Sequence, residues 1–579
     1  MTLTNFVTSQ KRILLGGYPA KQCPRRVHNQ YDTTIPPVDW EPDAALQSLF
    51  DKGNTFEDDV FAEFAEALGS DYVNLDELDG ADGPERRSAT VDAMERGVLV
   101  IAGGELPADF DGHRVGKPDL LIRWTQVDED PRYVPADVKA HRVAGAAATK
   151  AITYSLLSDP TNRLRLPGFS VTASWSFGDV VQLAHYTRML QAIGRHPGDE
   201  HLVGAIVGTN DFSESGIAGS VLIWHELDVP RFKTFSRSEG TKLRTGLERY
   251  DHEHDFRVKV AEAAARRTGA ADDPEPLVRP IYQGECGRCL WWERCEPLIS
   301  EDDPSYALQV GRLDIREINA LRDRGIDSTA ALAEIDLDDE VWVADYLTEV
   351  TQHSANTARK RLAMAQTRSR MIENDVPLLP LDGATFWKPA ADIEIDLDME
   401  CDEFGTVYLW GTRKRLGQDE STAVYRAFLD ADMASDDAEV ALAQAVVDWL
   451  RSEIAEAVAQ GQTLLIAHHS QIEIAKLNRI LGAEAVEDVV EHFVDTYRWL
   501  NERFIGRAGL GLKPVATSLG FAWQDDDAGG LQSIEWLDEA RGGGPDAAAA
   551  LQRILIYNED DVRATAWIRD HISGEQFTN

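Results

Sequence analysis

Two aspartates and a lysine in the N-terminal half have the residue types and the spacing of a hydrolytic metal site. Asp119 stands directly before an apolar run at 120–122, and Asp137 and Lys139 lie in the next one, at 134–139. The two runs predict a β-hairpin that carries both aspartates towards one point. Residues two apart on a strand share a face, so Asp137 and Lys139 should lie side by side. Two carboxylates can hold a divalent metal while an ammonium stabilises charge on a phosphate; the alternative interpretation is a solvated ion pair at a strand end.

A second group of chemically capable residues is the cysteines. Cys286, Cys289 and Cys295 crowd one short loop rich in Trp and Arg, and Cys23 lies far upstream. Such a loop would bury its thiols poorly without a ligand, so the spacing predicts a metal or cluster site with Cys23 as the distant fourth ligand. Four thiolates suit tetrahedral zinc or an iron-sulfur cluster, and spacing does not separate the two. Either ligand would tie the N-terminus to the far end of the first domain.

Acidic residues of the C-terminal part form a third group. The segment 393–400 alternates apolar and acidic residues, which predicts a strand with one acidic face, followed by a turn at 403–405. Acids and a tyrosine that could converge there are Asp398, Glu400, Glu473, Tyr557 and Asp561. Tyr557 and Asp561 are four residues apart and share a helix face.

The register of this acidic strand stays open at the level of sequence. Asp396 and Asp398 share the same face, so this pair could replace Asp398 and Glu400. Asp495 could likewise take the place of Glu473 as the helical acid. The alternative to any metal site is a solvated acidic edge strand.

Several predicted elements must position these residues. A helix at 44–68 carries Glu57, because Phe56, Val60, Phe61 and Phe64 recur at helical spacing. A helix at 179–193 carries Gln182 and Tyr186 on one face. A long charged helix is predicted at 239–267, leading into the cysteine loop.

Composition and charge exclude several classes of function. The 579 residues exceed one core and predict three or four structural units. The chain has no apolar run of about 18 residues and no secretion signal, so we expect a cytoplasmic protein without a membrane span. The net charge of −41 argues against a general nucleic-acid coat, while basic clusters at 11–28 and 359–370 leave room for a locally basic groove.

The order of motifs over residues 1 to about 300 is similar to the RecB-like nuclease family, especially its iron-sulfur members related to the CRISPR-associated exonucleases. The motifs are an early Cys, Gly53 with Glu57, Gly116-x2-Asp119, Asp137-x-Lys139, Gln182-x3-Tyr186 and three late Cys. The resemblance implies that Asp119 and Asp137 ligate Mg²⁺ or Mn²⁺, that Lys139 assists the attacking water or stabilises the phosphate charge, and that Gln182 and Tyr186 orient the strand.

The same resemblance assigns the remaining positions of this domain. Glu57 would take the first acidic position, where many relatives use His, and Glu63 or Glu66 are alternatives. The ligands of a [4Fe-4S] cluster would be Cys23, Cys286, Cys289 and Cys295.

Residues from about 380 to 579 resemble RNase H-like exonucleases of the DEDD type. In that family four acidic groups bind two metals and a Tyr orients the nucleophilic water, which implies these roles for Asp398, Glu400, Glu473, Asp561 and Tyr557. The sequence departs from the family at Glu473, where Asp is usual. Lys513 resembles a lysine that often precedes the penultimate helix in this group.

Taken together, the sequence predicts an α/β protein in three parts. These are a PD-(D/E)XK restriction-endonuclease-like domain with a four-cysteine cluster over 1–302, a small helical domain over 303–376, and an RNase H-like α/β domain over 377–579. The turn at 325–329 of the middle part resembles helix-hairpin-helix modules that grip DNA, with a plain linker bundle as the alternative.

The predicted activity is metal-dependent exonucleolytic hydrolysis of DNA, single-stranded or frayed at its ends, in repair, recombination or defence. The alternatives are a non-cleaving scaffold that binds nucleic-acid ends, and an RNA exonuclease acting through the C-terminal domain. The sequence lacks a Gly-x4-Gly-Lys-Ser/Thr phosphate loop, so any unwinding would need a separate helicase.

Overall fold

The computed structural model describes residues 12–42, 44–78, 83–125, 129–236, 240–402, 405–432, 436–525 and 530–572. The chain divides into two compact units, unit 1 with residues 1–299 and 351–354, and unit 2 with residues 300–350 and 355–579. Unit 2 therefore contains most of the predicted helical middle part together with the RNase H-like part. The division into three domains stays a prediction. The turn predicted at 403–405 lies mostly outside the described residues.

Unit 1 is built on one mixed sheet with helices on both faces. Its helices are α1 (Pro24–Tyr31), α2 (Ala44–Leu68), α3 (Gly83–Glu95), α4 (Ala173–Ala192), α5 (Gly246–Ala265) and α6 (Trp292–Cys295). Its strands are β1 (Tyr72–Asn74), β2 (Val100–Ala102), β3 (Leu106–Asp109), β4 (Arg114–Gly116), β5 (Leu120–Arg123), β6 (Tyr133–Lys139), β7 (Ala144–Leu156), β8 (Leu164–Val171), β9 (Val203–Gly208), β10 (Val221–Glu226), β11 (Phe232–Ser236) and β12 (Gly240–Arg244). The main sheet has the order β1-β2-β5-β6-β9-β10-β7-β8.

The central hairpin of unit 1 confirms the prediction made for Asp119 and Asp137. Strands β5 and β6 pair antiparallel, with Leu120 opposite Ala136. Alternate residues of this hairpin face opposite helices. Val60, Phe61 and Phe64 of α2 pack on one face, where each buried apolar side chain contributes about 1.5–3 kcal/mol. Tyr186, Met189 and Leu190 of α4 pack with Leu121 and Tyr133 on the other.

The prediction of one long helix over 239–267 was wrong in its first part. Strands β11 and β12 form an antiparallel hairpin there, and α5 begins only at Gly246. The start is fixed by a capping box in which the Thr245 side chain accepts from the Glu248 amide while the Glu248 carboxylate accepts from the Thr245 amide. The helix predicted from 179 begins earlier, at Ala173.

Unit 2 begins with five helices in the part of the chain that the structure describes, and a second α/β layer structure follows them. The five helices are α7 (Pro304–Ala307), α8 (Ile315–Arg322), α9 (Thr329–Ala333), α10 (Glu340–Glu349) and α11 (Ala355–Glu373). The strands are β13 (Leu378–Pro380), β14 (Ile393–Cys401), β15 (Val407–Leu416), β16 (Asp419–Leu429), β17 (Leu464–His468), β18 (Phe493–Asp495) and β19 (Phe504–Gly506). The later helices are α12 (Asp436–Gln460), α13 (Ile472–Leu481), α14 (Ala483–Val490), α15 (Thr496–Asn501), α16 (Leu512–Ser518), α17 (Gly530–Arg541) and α18 (Ala547–His571).

The larger sheet of unit 2 has the order β16-β15-β14-β17-β18. Strands β16, β15 and β14 are antiparallel, while β14, β17 and β18 run parallel. The apolar face of β14, with Ile393, Ile395 and Leu397, packs in the core that includes α12. Its acidic face therefore points to the opposite side, where the contacts of α18 lie.

The turn between α8 and α9 has the compact geometry expected of a helical hairpin. Gly325 has φ of +74°, a left-handed conformation that a residue with a Cβ rarely adopts. The Ser328 side chain accepts a hydrogen bond from the Ala331 amide at 3.2 Å and so caps α9. Within the described part of the chain, no helix combines the length and the hydropathy that a membrane crossing requires.

Candidate functional site

The N-terminal centre consists of Asp119, Asp137 and Lys139. The Lys139 Nζ lies 2.6 Å from Asp137 Oδ2 and 3.6 Å from Asp119 Oδ2. Asp119 Oδ2 also accepts a hydrogen bond from the Val138 amide at 2.8 Å, which fixes this carboxylate across the hairpin. The structure thus brings the three residues together at the end of the β5–β6 hairpin.

Burial and like charge set the electrostatics of this centre. Burial, followed by the neighbouring Asp137 carboxylate, raises the pKa of Asp119 well above its ordinary value. Burial alone would lower the pKa of Lys139, but Asp137 and Asp119 outweigh it and raise that pKa well above the ordinary value. Lys139 is therefore firmly cationic, and it offsets part of the repulsion between the two carboxylates.

The surroundings of the Asp137 carboxylate indicate whether a metal ion fits this centre. Its side chain is fully buried, and the Lys139 ammonium lies 2.6 Å from Oδ2, while Oδ1 makes no hydrogen bond in the part of the chain that the structure describes. A buried carboxylate oxygen without such a bond is costly, and a divalent cation is the partner that would satisfy it. Asp119 and Asp137 therefore fit a hard divalent ion such as Mg²⁺ or Mn²⁺.

Gln182 and Tyr186 of α4 line the approach to this centre. The Gln182 amide donates to the Tyr186 hydroxyl at 3.5 Å, and the Tyr186 hydroxyl donates to the Lys117 carbonyl at 3.1 Å. Burial, then Asp137 and Asp119, raises the pKa of Tyr186 well above its ordinary value, so its proton stays in place. Any side chain at Gly116 would meet the Tyr186 ring at 2.6 Å, which explains the glycine.

Two further residues of the centre come from the N-terminal segment and were missed by sequence reasoning. The Lys21 ammonium donates to Gln182 Oε1 at 2.7 Å and lies 4.5 Å from the centre of the Tyr18 ring. Burial, followed by the charge of Lys139, lowers the pKa of Lys21 to about 8. The basic cluster at 11–28 was the available signal, but nothing local connected it to Asp137.

Glu57 faces the same centre from α2. Burial and the nearby Asp76 raise the pKa of Glu57, and the charges of Lys139 and Asp137 also act on it. The alternatives are placed elsewhere: Glu63 accepts from Ser220, with Oε1 2.8 Å from its hydroxyl, and Glu66 is exposed. This arrangement favours Glu57 over both alternatives as the third acidic group.

The four predicted cysteine ligands line one cavity. Cys23, at the start of α1, meets Cys286, Cys289 and Cys295 there, together with Trp291. The thiols are near enough for their charges to interact, and burial raises the pKa of Cys23 to about 11. Burial likewise raises the pKa of Cys286 and of Cys289.

The spacing of these thiols bears on the choice between zinc and a cluster. Among the described residues, the groups of three or more ligand atoms within 4.8 Å of one another do not include these thiols. A tetrahedral zinc site with Zn–S bonds of about 2.3 Å needs sulfur atoms roughly 3.8 Å apart. The thiols are therefore not at the spacing of a formed zinc site, and the choice between zinc and a cluster stays open.

The C-terminal centre consists of Asp398 and Glu400 on β14 and Asp561 on α18. One carboxylate oxygen from each lies within 4.8 Å of the others, a separation that a single divalent ion can bridge. Burial, then Asp561 and Glu400, raises the pKa of Asp398 well above its ordinary value. Burial and Asp561 raise the pKa of Glu400 to about 8, and burial raises that of Asp561 to about 6.

The other two acids on this face of β14 are paired with arginines. Glu394 and Asp396 are fully buried against the arginines Arg415 and Arg569. Arg415 Nη2 lies 2.6 Å from Glu394 Oε2, and Arg569 Nη1 donates to Asp396 Oδ1. These two acids are paired with arginines inside the protein, so Asp398 and Glu400, rather than Asp396 and Asp398, are the strand acids that lie near Asp561.

Asn558 fixes the carboxylate of Asp398, and sequence reasoning missed this contact. Its Nδ2 donates to Asp398 Oδ2 at 2.9 Å, and its Oδ1 accepts from the Tyr425 hydroxyl at 2.9 Å. Asn558 is fully buried, and a side chain at Gly411 would collide with its Oδ1 at 1.6 Å. The only signal in the sequence was its position beside Tyr557.

Asp561 is held by neutral and cationic groups from other elements. The Trp523 indole donates to Asp561 Oδ1 at 2.7 Å. The Lys513 ammonium lies 4.8 Å from the centre of the Tyr557 ring, and its charge lowers the pKa of Asp561 and of Glu400. Burial, followed by Asp561, raises the pKa of Tyr557, so its hydroxyl keeps its proton.

The two candidates for the helical acid differ in their contacts. Glu473 is buried, its Oε2 lies 3.0 Å from His468 Nδ1, and its charge acts on Asp398. Asp495 instead caps α15, since its Oδ1 accepts from the Arg498 amide at 3.0 Å. Glu473 is therefore the acid that faces the centre.

A family model for the RNase H superfamily matches residues 392–573. The C-terminal α/β part is therefore RNase H-like, as predicted, and the likeness indicates nuclease-type, metal-dependent chemistry on nucleic acids. Searches of curated proteins and of solved structures returned no match.

Proposed function

We propose that this chain is a metal-dependent nuclease with two hydrolytic centres that act on DNA, taking single strands or frayed ends exonucleolytically. The observation that carries the proposal is the convergence of Asp398, Glu400 and Asp561 within 4.8 Å inside an RNase H-like part. Their raised pKa values reflect a charge repulsion that a divalent cation relieves. Glu394 and Asp396 of the same strand, by contrast, are each ion-paired to a buried arginine.

In the C-terminal centre, Asp398, Glu400 and Asp561 hold Mg²⁺ or Mn²⁺, with Glu473 as the neighbouring fourth acid. A bound divalent ion supplies Lewis acidity towards the phosphate and lowers the pKa of water. The protonated Tyr557 hydroxyl beside Asp561 orients the attacking water. Asn558 keeps Asp398 in position without adding a charge, and Lys513 stabilises negative charge that grows on the phosphate.

In the N-terminal centre, Asp119 and Asp137 hold the cation and Lys139 supplies the positive charge for the transition state. Because Lys139 is anchored to both carboxylates, its ammonium is in place before the substrate arrives. Glu57 completes the acidic set, and Gln182 and Tyr186 orient the strand. These assignments follow the PD-(D/E)XK pattern of RecB-like nucleases and are supported by the fully buried Asp137.

The four thiols hold a [4Fe-4S] cluster in this proposal. Its role is structural, since Cys23 and Cys286 are separated by most of unit 1 and shared ligation would close that chain. The raised thiol pKa values mean that ligation displaces protons, so the cluster would assemble more readily at higher pH.

One experiment tests the function directly. The protein is purified without oxygen, its iron-sulfur absorbance is recorded, and end-labelled single-stranded DNA and RNA are offered with Mn²⁺. Wild type, Lys139→Ala and Asp561→Ala are compared. DNA cleavage lowered by both substitutions supports the proposal, RNA cleavage lost only in Asp561→Ala assigns an RNA exonuclease to the C-terminal centre, and end binding without cleavage sinks the nuclease proposal in favour of a scaffold.

A further inference from the structure

A cavity of about 370 Å³ in unit 2 shares a residue with the surroundings of the C-terminal centre. Lys513 lines the cavity, and its ammonium lies 4.8 Å from the centre of the Tyr557 ring. The volume falls in the range of about 300–1,000 Å³ that is usual for ligand pockets. The cavity is therefore a candidate for holding part of a molecule whose other part reaches Asp561.

The lining of this cavity is cationic although the chain is strongly acidic. Arg507 and Lys513 contribute positive charge, Thr517 contributes an exposed hydroxyl, and the described lining residues include no carboxylate. The chain as a whole carries a net charge of −41. Such local inversion of charge concentrates anions at this place and repels them elsewhere.

Arg507 is available to an anionic ligand. Its Nη1 lies 2.7 Å from Asp375 Oδ1, but the Asp375 side chain is 93% exposed, so the pair is solvated and weak. The planar guanidinium can bind a phosphate with two parallel hydrogen bonds, which a solvated surface carboxylate does not outcompete.

The helical segment that precedes the RNase H-like part helps to build the cavity. Gln309 lines it, and the loop on its other side is tied to this segment. Arg368 of α11 donates to the Gly506 carbonyl at 3.3 Å, and a Cβ at Gly509 would meet Val310 at 3.1 Å. His469 anchors the same loop, with Nε2 2.9 Å from the Leu510 carbonyl.

We propose that this cavity binds the phosphodiester backbone of a single-stranded nucleic acid whose end lies in the C-terminal centre, with Arg507 and Lys513 as phosphate ligands. The inference rests on the proposed nuclease function and adds the strand path to it. It also gives the preceding helices a role, because Gln309 and the contacts of Arg368 shape the binding wall. Backbone binding of this kind is indifferent to base sequence.

The test compares long and short substrates in a Lys139→Ala background, where the C-terminal centre alone cleaves. One substrate is a 20-nucleotide oligo-dT, long enough to fill the cavity. The other is a dinucleotide, which would occupy only the C-terminal centre. Arg507→Gln and Thr517→Asp should raise KM for the 20-mer about three- to tenfold and leave dinucleotide cleavage unchanged. The matched control is Arg498→Gln, an exposed arginine on α15 outside the cavity lining.

Equilibrium binding of the same 20-mer in EDTA separates this inference from the proposed function. Arg507→Gln should weaken binding and lower the slope of log K against log salt by about 0.7, the value for one phosphate contact on a single strand. The inference is overturned if Arg507→Gln and Arg498→Gln behave alike on the 20-mer. If neither substrate is cleaved, the nuclease function of this centre fails, and the binding measurement alone decides for or against the cavity.

Discussion

The two centres differ in the groups that offset the negative charge of their carboxylates. In the N-terminal centre Lys139 is ion-paired to both Asp119 and Asp137, so the repulsion is partly cancelled within the protein. In the C-terminal centre the donors closest to the ligands are neutral, Asn558 to Asp398 and the Trp523 indole to Asp561. Lys139 therefore offsets the carboxylate charge of the first centre by direct ion pairs, whereas the second relies on neutral donors and the charge of Lys513 and keeps a repulsion that a divalent cation would relieve.

The largest expected effect is on cleavage itself. Lys139→Ala and Asp561→Ala should each inactivate one centre and leave the other centre active, because each removes charge stabilisation at one centre. The double variant should lose on the order of 10³-fold or more of the total rate. Initial rates on end-labelled single-stranded DNA with Mn²⁺ measure this. Glu66→Ala, which removes an exposed acid on α2, is the control. Complete loss in either single variant would mean that the centres are not independent.

Stability without metal should change in opposite directions at the two centres. Lys139→Ala leaves two close carboxylates without their cation and should destabilise unit 1 by about 3–5 kcal/mol. Above about pH 8, where these carboxylates are ionised, Asp398→Asn removes one repelling charge and should stabilise unit 2 by about 1 kcal/mol. Differential scanning calorimetry in EDTA gives both values. Shifts of the same sign would show that the two centres do not differ in how their carboxylate charge is compensated.

Metal affinity of the C-terminal centre should rise steeply with pH. Glu400, with a pKa of about 8, and Asp561, with a pKa of about 6, hold protons below those values, and Mn²⁺ must displace them. The apparent association constant should therefore increase about 100-fold from pH 6 to pH 8. Titration calorimetry in an Asp137→Asn background measures it.

The same pKa values determine whether the stability of metal-free unit 2 rises or falls with pH. The folded state holds these protons up to about pH 8 while the unfolded chain releases them near pH 4–4.5, so unit 2 should lose stability as pH rises through that window. Glu400→Gln should weaken the pH dependence of both the Mn²⁺ affinity and the stability of unit 2. An unchanged pH dependence in that variant would show that another group titrates.

The smallest effect concerns the positioning of Asp398. Asn558→Ala should weaken Mn²⁺ binding about tenfold, within the range for partners that orient metal ligands. Tyr425→Phe, which removes the hydroxyl that Asn558 accepts from, should weaken it by less. Calorimetric Mn²⁺ titrations compare these with Asn374→Ala, an exposed asparagine in the same unit. Equal affinities in all three would leave Asn558 with a purely structural role.

Much of the fold near the sites was predictable because local pattern coincides with burial. The helix at 44–68 follows from Val60, Phe61 and Phe64, and the hairpin of Asp119 and Asp137 follows from two apolar runs. The paired strands β7 and β8 were missed, since most of their residues are partly or fully exposed and lack an apolar alternation.

The parts of the sites that sequence reasoning missed depend on tertiary contacts. Lys21 reaches Gln182 across 161 positions of the chain, and Asn558 reaches Asp398 across 160. No local spacing encodes such meetings. The choice between Asp396 and Glu400 as the partner of Asp398 was equally inaccessible, because both lie on one strand face.

The two buried arginines have a consequence for how unit 2 folds. The alternation of β14 repeats every two residues, so a two-residue slip keeps every apolar side chain in the core and every acid on the other face. Arg415, Arg569 and Asn558 distinguish the registers, because a slipped strand would place Asp398 beneath a guanidinium and away from the Asn558 amide. We therefore expect these arginines to select the register, and a charge-neutral replacement of both to destabilise unit 2, because Glu394 and Asp396 would be left as buried carboxylates without a cation.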